Sequence, residues 1–453
     1  MSDMKCFKAY DIRGIVPTEL NESFAYDLGR AYASEFQPKN VVLGHDIRES
    51  SLMLYLSLMN GLLDSGVDVI LLGLCGTEEV SYQTSALKTD GGIMVTASHN
   101  PMDYNGMKLS LKDSAPLGQD TGLWRLKERM LQKQFSSLTF TGQTTEYDDK
   151  SDYIQHLLSY VDLTKIKPLK VVANTGNGCA SLALEQLMPH LPIEWITMNY
   201  APDGSFPNGI PNPLLPENRL STSQAIVEHQ ADFGLAWDGD NDRCFFFDHE
   251  GNFIEGYYLM GLVAQQMLMK YPQSKVVMDT RLTWNTEAIA RQYQGEAIMS
   301  KGGHSCIKQT MREVDAIYGA EMSGHHYFKS FAYCDSGMIP WLLIAELLSN
   351  SDRSLKSLVE ESIQAFPCSG ELNFRVSDTD EVLRYLENYF VEDLPTQQTL
   401  DGLTLIFPEW RFNVRASNTE PLLRLNIETR GDIALLKEKQ ALLEQLINLY
   451  VIE

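Results

Sequence analysis

Asn40-Val41-Val42-Leu43-Gly44, then Leu52, Leu56, Met59 and Leu63, then the apolar run 67–72: this is the stretch on which the fold turns. Five residues with little polar interruption predict a short buried strand. The four apolar residues that follow recur at helical spacing and predict one face of a helix ending near Gly66. The run 67–72 predicts the next strand. Two further stretches repeat the pattern. Leu169-Lys170-Val171-Val172-Ala173-Asn174 enters the turn Thr175-Gly176-Asn177-Gly178, and Lys275-Val276-Val277-Met278-Asp279 precedes Thr280-Arg281. Repeated strand–turn–helix units imply mixed sheets covered by helices. The last segment differs, with strands expected at 371–376, 403–407, 410–414 and 422–427. Helices are expected at 380–390 and from Ile433, the latter presenting Leu435, Leu442 and Leu446 on one face. The fold class is therefore α/β, with three similar mixed α/β domains and a C-terminal α+β domain. Breaks near 144–151, 248–251 and 365–370 divide the chain into 1–147, 148–249, 250–367 and 368–453.

A chain of 453 residues is long enough for several cores, and 44% hydrophobic with 21% charged residues suits a soluble globular protein. A net charge of −23 argues against a nucleic acid or an anionic membrane as partner. A negative protein that handles an anion must gather its cations locally, and Lys8, Arg13, Lys108, Arg243 and Arg415 are candidates. Seven scattered cysteines without a Cys-x-x-Cys pair predict reduced thiols and a cytoplasmic location. The first residues carry no apolar signal core, and no apolar run is long enough to span a bilayer.

Four motifs carry chemistry. Thr96-Ala97-Ser98-His99-Asn100-Pro101 follows the apolar stretch 92–95 and predicts an exposed serine on a turn, with a second turn, 103–108, ending at Lys108. A serine oxygen is a weak nucleophile unless activated or already loaded, and a phosphoserine would bring about two negative charges and three acceptor oxygens. Asp238-Gly239-Asp240-Asn241-Asp242-Arg243 lies between the apolar runs 233–237 and 244–247. A calcium hand would need Gly at its sixth position and Glu at its twelfth, where Arg243 and His249 stand. Three carboxylates at alternate positions instead suit a small hard cation. Glu321 and Ser323, in Gly319-Ala320-Glu321-Met322-Ser323-Gly324-His325, offer a clamp for vicinal sugar hydroxyls. Arg415-Ala416-Ser417-Asn418-Thr419-Glu420-Pro421 offers one arginine and three small hydrogen-bonding residues, an anion nest or a polar hairpin connection. Ser305-Cys306-Ile307-Lys308 matches Ser-x-x-Lys of acyl-enzymes, but no Lys-Thr-Gly follows.

These motifs, in this order, together with Phe7-Lys8-Ala9-Tyr10-Asp11-Ile12-Arg13-Gly14, resemble the α-D-phosphohexomutase family along the whole chain. Within it the likeness is greatest to bacterial phosphomannomutases, carried by Gly76-Thr77-Glu78-Glu79, by 206–213 and by 331–337. The resemblance implies four domains around a central cleft, each lending one loop: phosphoserine, metal, sugar and phosphate. It implies Ser98 as phosphoserine carrier and Mg²⁺ held by Asp238, Asp240, Asp242 and the phosphoserine. It implies Glu321 and Ser323 at sugar hydroxyls, and Arg415, Ser417, Asn418 and Thr419 at the substrate's distal phosphate. Tyr10, Arg13, Lys108, Arg243, His304 and His325 also match family active-site positions, with His99 orienting the serine and Lys108 or His325 taking a proton. His45 stands where an arginine is common and Met278 where some members place a lysine. The implied reaction interconverts mannose 6-phosphate and mannose 1-phosphate through a hexose 1,6-bisphosphate, in a cytoplasmic monomer or weak dimer feeding GDP-mannose and polysaccharide synthesis. A phosphoglucomutase or dual-specificity enzyme is the near alternative. A serine-dependent phosphatase or hydrolase, or a non-catalytic sugar-phosphate-binding protein, is the remote one.

Overall fold

Each expected repeat forms, and in each the first strand becomes the centre of a parallel trio. Asn40–His45 pairs in parallel with Asp68–Leu74 and Gly91–Val95. Leu169–Asn174 pairs in parallel with Ile193–Met198 and Phe233–Trp237. Lys275–Asp279 pairs in parallel with Glu296–Ser300 and Tyr318–Ala320. Central strands covered on both faces need continuous apolar runs, and Val41, Val42, Leu43, Val171, Val172, Ala173, Val276 and Val277 are all buried. In the first two sheets an antiparallel strand follows the trio: Tyr104–Leu111 returns beside Gly91–Val95, and Cys244–Phe247 beside Phe233–Trp237. The serine motif and the aspartate motif are thus the same link of the repeat, the turn leaving the last parallel strand.

The computed structural model describes residues 4–136, 140–416 and 422–452. It divides into one unit of Met1–Phe253 with Ser323–Ser354 and a second of Ile254–Met322 with Leu355–Glu453. The second unit contains the C-terminal α+β portion. Its antiparallel sheet runs Leu372–Phe374, Leu423–Thr429, Trp410–Ala416, Leu403–Ile406, Thr396–Gln398. Helices Thr379–Tyr389 and Ile433–Ile447 cover it, each started by an aspartate, Asp378 or Asp432, that accepts an orphan backbone N–H. Val382, Leu386, Leu436, Leu443, Leu446 and Ile447 join Phe412 and Leu425 in one core, with Leu435 and Leu442 partly buried at its margin. No helix among the described residues is long and apolar enough to cross a membrane. No disulfide joins any of the seven cysteines, all of which lie among the described residues.

Two expectations about local structure need correction. The helix Ser51–Leu63 buries Leu54, Tyr55, Leu58 and Leu62, whereas Leu52 and Leu56 are 53% and 44% exposed. The inward face was hidden because it includes Gly61, which reads as a weak helix former. That glycine lets the helix press on Glu22–Phe36: a Cβ at Gly61 would overlap the Tyr26 carbonyl, and one at Gly29 would lie 2.6 Å from the Leu58 carbonyl. The second correction concerns 103–108. Polar Tyr104, Asn105 and Gly106 suggest a turn, but Tyr104–Leu111 is a strand, with Lys108 opposite Met94.

Candidate functional site

Ser98 occupies a backbone conformation that side chains rarely adopt, with φ at +51°. Neighbours hold it there. The Arg48 guanidinium donates to four carbonyls of the serine loop: Ser98 at 2.9 Å, Asn100 at 2.6 Å, Pro101 at 2.8 Å and Tyr104 at 3.1 Å. Asp46 accepts from Thr96 Oγ1 at 2.7 Å, and Thr96 Oγ1 in turn accepts the Ser98 N–H at 2.9 Å. Both Asp46 and Arg48 are buried, so the loop rests on an internal ion pair at the end of the strand Asn40–His45.

Ser98 itself is 2% exposed, against the expectation of an exposed serine. The reason is that the aspartate turn packs onto it. Ser98 Oγ donates to Asp238 Oδ2 at 2.7 Å across 140 residues of sequence, and lies 3.3 Å from Arg243 Nη2 and 3.1 Å from His99 Nδ1. Gly239 makes the approach possible, since a Cβ there would stand 2.6 Å from the Ser98 carbonyl oxygen. The hydroxyl therefore faces the 238–242 carboxylates, though it is covered.

Carboxylate oxygens of Asp238, Asp240 and Asp242 lie within 4.8 Å of one another, and all three residues are buried. Arg243 pairs with Asp238 through Nη2 at 2.8 Å. Lys108 reaches from its strand to Asp240 Oδ2 at 2.6 Å and also to Asp242 Oδ2. Thr77 clamps Asp240 twice: Oγ1 donates to Oδ2 at 2.6 Å, and the Thr77 N–H donates to the Asp240 carbonyl at 2.8 Å. Asp240 Oδ1 and Asp242 Oδ1 are buried with no hydrogen bond among the described residues. Three carboxylates facing two cations, with two oxygens unbonded, suit a further hard cation. The residues present fit a divalent ion. A second group, Asp242, His325 and Asp335, shares one of its aspartates: His325 Nε2 is 3.8 Å from Asp242 Oδ1 and 4.0 Å from Asp335 Oδ2.

Electrostatics sorts these groups. Burial would push Lys108 down, but Asp240 and Asp242 outweigh it and hold the ammonium above the ordinary lysine value. Burial and then the Arg243 and Arg13 charges drive His99 well below the usual histidine range, so its ring is neutral and accepts from Arg243 at Nδ1. Burial also pushes Asp238 up, against Arg243 and with Asp242 and Asp240. Burial opposes ionisation of Asp242 too, but Lys108 and His325 overcome it and hold it down.

Of the remaining expected residues in this unit, Arg13 pairs with Asp11 at 2.8 Å and also reaches Asn100, next to the serine turn. Tyr10 is half-buried, and Lys8 is exposed. Ser323 Oγ is 3.0 Å from His325 Nδ1.

The second unit has its own charged cluster. Arg281 pairs with Asp279 at 2.5 Å and Glu371 at 3.3 Å, and lies 4.0 Å from Glu321. Arg415 and Arg424 also reach Glu371. Glu321 accepts the Gly303 N–H at 2.7 Å, just before His304 opens the helix His304–Val314. Met278 is in the core of its strand, 1% exposed, and Arg281 three residues later carries the charge at this end of the sheet. Ser417, Asn418 and Thr419 lie outside the described residues. Arg48, Thr77, Arg281 and Glu371 were missed as single residues; the signal was a charged or hydroxylic residue just beyond a strand end or at a helix start.

Four segments match one family, described as phosphoglucomutase/phosphomannomutase: alpha/beta/alpha domain I over residues 4–136, domain II over 151–251, domain III over 255–366 and the C-terminal domain over 371–445. The chain is 55% identical over 436 residues to a protein named "Phosphohexose mutases" from Xanthomonas campestris pv. campestris, covering 96% of this chain and 97% of that one. It is 50% identical over 455 residues to a phosphomannomutase of Salmonella typhimurium, covering 99% and 100%. A crystal structure of a phosphoglucomutase/phosphomannomutase family protein from Burkholderia thailandensis superposes with a TM-score of 0.89 at 30% identity, over 100% of this chain and 99% of that one.

Proposed function

Because this chain belongs to the phosphoglucomutase/phosphomannomutase family, we propose that Ser98 carries the phosphoryl group in a phosphomannomutase reaction, interconverting mannose 6-phosphate and mannose 1-phosphate. The enzyme is an isomerase acting by phosphoryl transfer, as its phosphomannomutase relatives support. The observation that carries the role of Ser98 is its Oγ, 2.7 Å from Asp238 Oδ2 at the meeting of the serine and aspartate turns.

Phosphoryl transfer needs in-line placement and charge neutralisation above all. Asp238, Asp240 and Asp242, with an oxygen of phosphorylated Ser98, would hold Mg²⁺, which when bound draws charge from the transferring oxygens. Arg243 lies beside Ser98 Oγ and neutralises the same group. In the first transfer the bond from phosphorus to Ser98 Oγ breaks as a bond to the sugar's free hydroxyl forms, giving a hexose 1,6-bisphosphate. The hydroxyl proton needs an acceptor. Lys108 or His325 takes that role. In the second transfer the other phosphate moves from its sugar oxygen to Ser98 Oγ, and that sugar oxygen takes up the proton removed in the first. Neutral His99 and the Arg48-held turn keep Oγ aimed, and Arg13 adds positive charge nearby. Glu321 and Ser323 suit sugar hydroxyls, and Arg415, with Ser417, Asn418 and Thr419, suits the phosphate that is not being transferred. Tyr10 and His304 complete the substrate contacts. The domain limits 1–147, 148–249, 250–367 and 368–453 assign one such loop to each domain.

A coupled assay of mannose 1-phosphate and glucose 1-phosphate, primed with a hexose 1,6-bisphosphate, tests this reading. Ser98→Ala should lose any phosphate mass on the protein and slow turnover by roughly a thousandfold or more. Undiminished turnover would end the carrier role. EDTA should abolish activity and Mg²⁺ restore it. The same assay decides a second reading, dual specificity for mannose and glucose phosphates, which the 55% identical "Phosphohexose mutases" relative favours.

A further inference from the structure

Glu371, the residue just before the strand Leu372–Phe374, sits among three arginines of the second unit. Its Oε2 accepts from Arg281 Nη1 at 3.3 Å and from Arg415 Nη2 at 3.4 Å, and its Oε1 faces Arg424 Nη1 at 3.3 Å. Charge-assisted bonds settle at about 2.7–2.9 Å, so one carboxylate is stretched over three cations and satisfies none of them closely. Arg281 has a second, tighter partner in Asp279 at 2.5 Å. Arg415 is buried, and its Nε carries no hydrogen bond among the described residues. The edge of a guanidinium that grips an anion through two parallel bonds uses Nε and one Nη. At Arg415 that edge is half used.

We propose that Glu371 is a resident substitute for the sugar phosphate: it keeps Arg415 oriented between turnovers and competes with the arriving phosphate for the same guanidinium. The proposal rests on Arg415 being a phosphate ligand and adds what sets the strength of that grip. A phosphate dianion brings more charge and three acceptor oxygens, so it displaces a carboxylate bound at long range through one oxygen. The same competition speeds release. That matters where one intermediate must free one phosphate and present the other. Ionised Glu371 is consistent with this: burial works against its charge, but Arg281, Arg424 and Arg415 hold it below the usual carboxylate range.

Glu371→Gln keeps the shape and removes the charge. Its KM for hexose 1-phosphate should fall by about tenfold, roughly the change expected for a close charge at a binding site, and kcat should fall by a smaller factor as release slows. Inorganic phosphate should become a stronger competitive inhibitor by a similar factor. Glu371→Asp, which keeps the charge but shortens the reach, should lie between wild type and Glu371→Gln. A merely structural role would raise KM in both variants. A KM at or above the wild-type value in both variants would overturn the proposal. Arg415→Ala separates the two layers. If it leaves KM and phosphate inhibition unchanged, the reading of Arg415 as a ligand fails and this proposal falls with it. If it raises KM while neither Glu371 variant lowers it, only the proposal falls.

Discussion

Replacing Arg48 tests how the serine turn is held. Arg48→Met keeps most of the aliphatic stem and removes the guanidinium that binds the carbonyls of Ser98, Asn100, Pro101 and Tyr104. A hydrogen bond from a charged donor contributes about 1.5–3 kcal/mol, but four on one group do not add, and water can reach the outer carbonyls. The substitution also leaves Asp46 buried without its countercharge, and removing one partner of a buried pair costs about 3–5 kcal/mol. Thr96, Ser51 and the residue-48 amide still serve Asp46, which argues for the lower half of that range. The stacking of Arg48 over the Phe206 ring, 5.5 Å to its centre, is lost as well. The expected destabilisation is about 4 kcal/mol, read from the urea midpoint at constant m. Amide exchange should speed up over 97–104 more than in the strand 40–45, because the left-handed Ser98 relaxes once its clamp is gone. A loss under about 1 kcal/mol with unchanged exchange would refute the claim that Arg48 sets the turn.

Thr77→Val removes the hydroxyl from Asp240 and should weaken Mg²⁺ or Mn²⁺ binding about tenfold, measured by calorimetry, with Thr77→Ser recovering it; equal affinities would dismiss the clamp. Gly239→Ala puts a methyl group against the Ser98 carbonyl, a backbone atom that must then shift, so kcat should drop by tenfold or more, on the order seen for small misplacements of reacting groups, and the melting temperature should fall with it; a normal kcat would mean the turns can part without cost. Burial pushes the Glu78 carboxyl up to about 7, opposed by hydrogen bonds from Tyr153, Ser336 and the Met338 and Gly337 amides. A carboxyl whose folded value lies above its ordinary 4.5 stabilises the fold fully below pH 4.5 and loses that contribution as pH rises through 7. Glu78→Gln should therefore flatten the fall in stability across that window, and an unchanged slope in denaturation curves would count against it.

Much of the platform was legible because buried strands are short apolar runs bounded by polar turns. The strands Leu169–Asn174, Phe233–Trp237 and Cys244–Phe247 coincide with the runs read from sequence. Where apolar residues lie on both faces of an element, the reading failed. Leu52 and Leu56 advertise a buried stripe, yet Tyr55 and Gly61 turn the helix the other way. The strand Tyr104–Leu111 was obscured because Asn105 and Gly106 look like turn residues. In fact Asn105 is buried and donates to Ser50 and Ser51. Thr396–Gln398 escaped notice because a polar edge strand carries no apolar signature. At the site, the aspartates and Ser98 stand out through local spacing. The partners that hold them do not: Thr77 meets Asp240 across 163 residues, and Arg48 meets the serine loop across about 50. Only the folded chain brings such pairs together.

The serine turn and the aspartate turn leave equivalent strands of two copies of one design, and each is anchored at both ends by neighbouring strands. The residues between those anchors lie outside the strand pairing, so their identity answers to the partners that hold each turn rather than to the sheet beneath. The same seat therefore carries different chemistry in successive repeats, a nucleophilic oxygen in one and a set of carboxylates in the next. Grafting the residues 238–243 between Val95 and Tyr104 would ask whether a seat built for a nucleophile tolerates a cage for an ion.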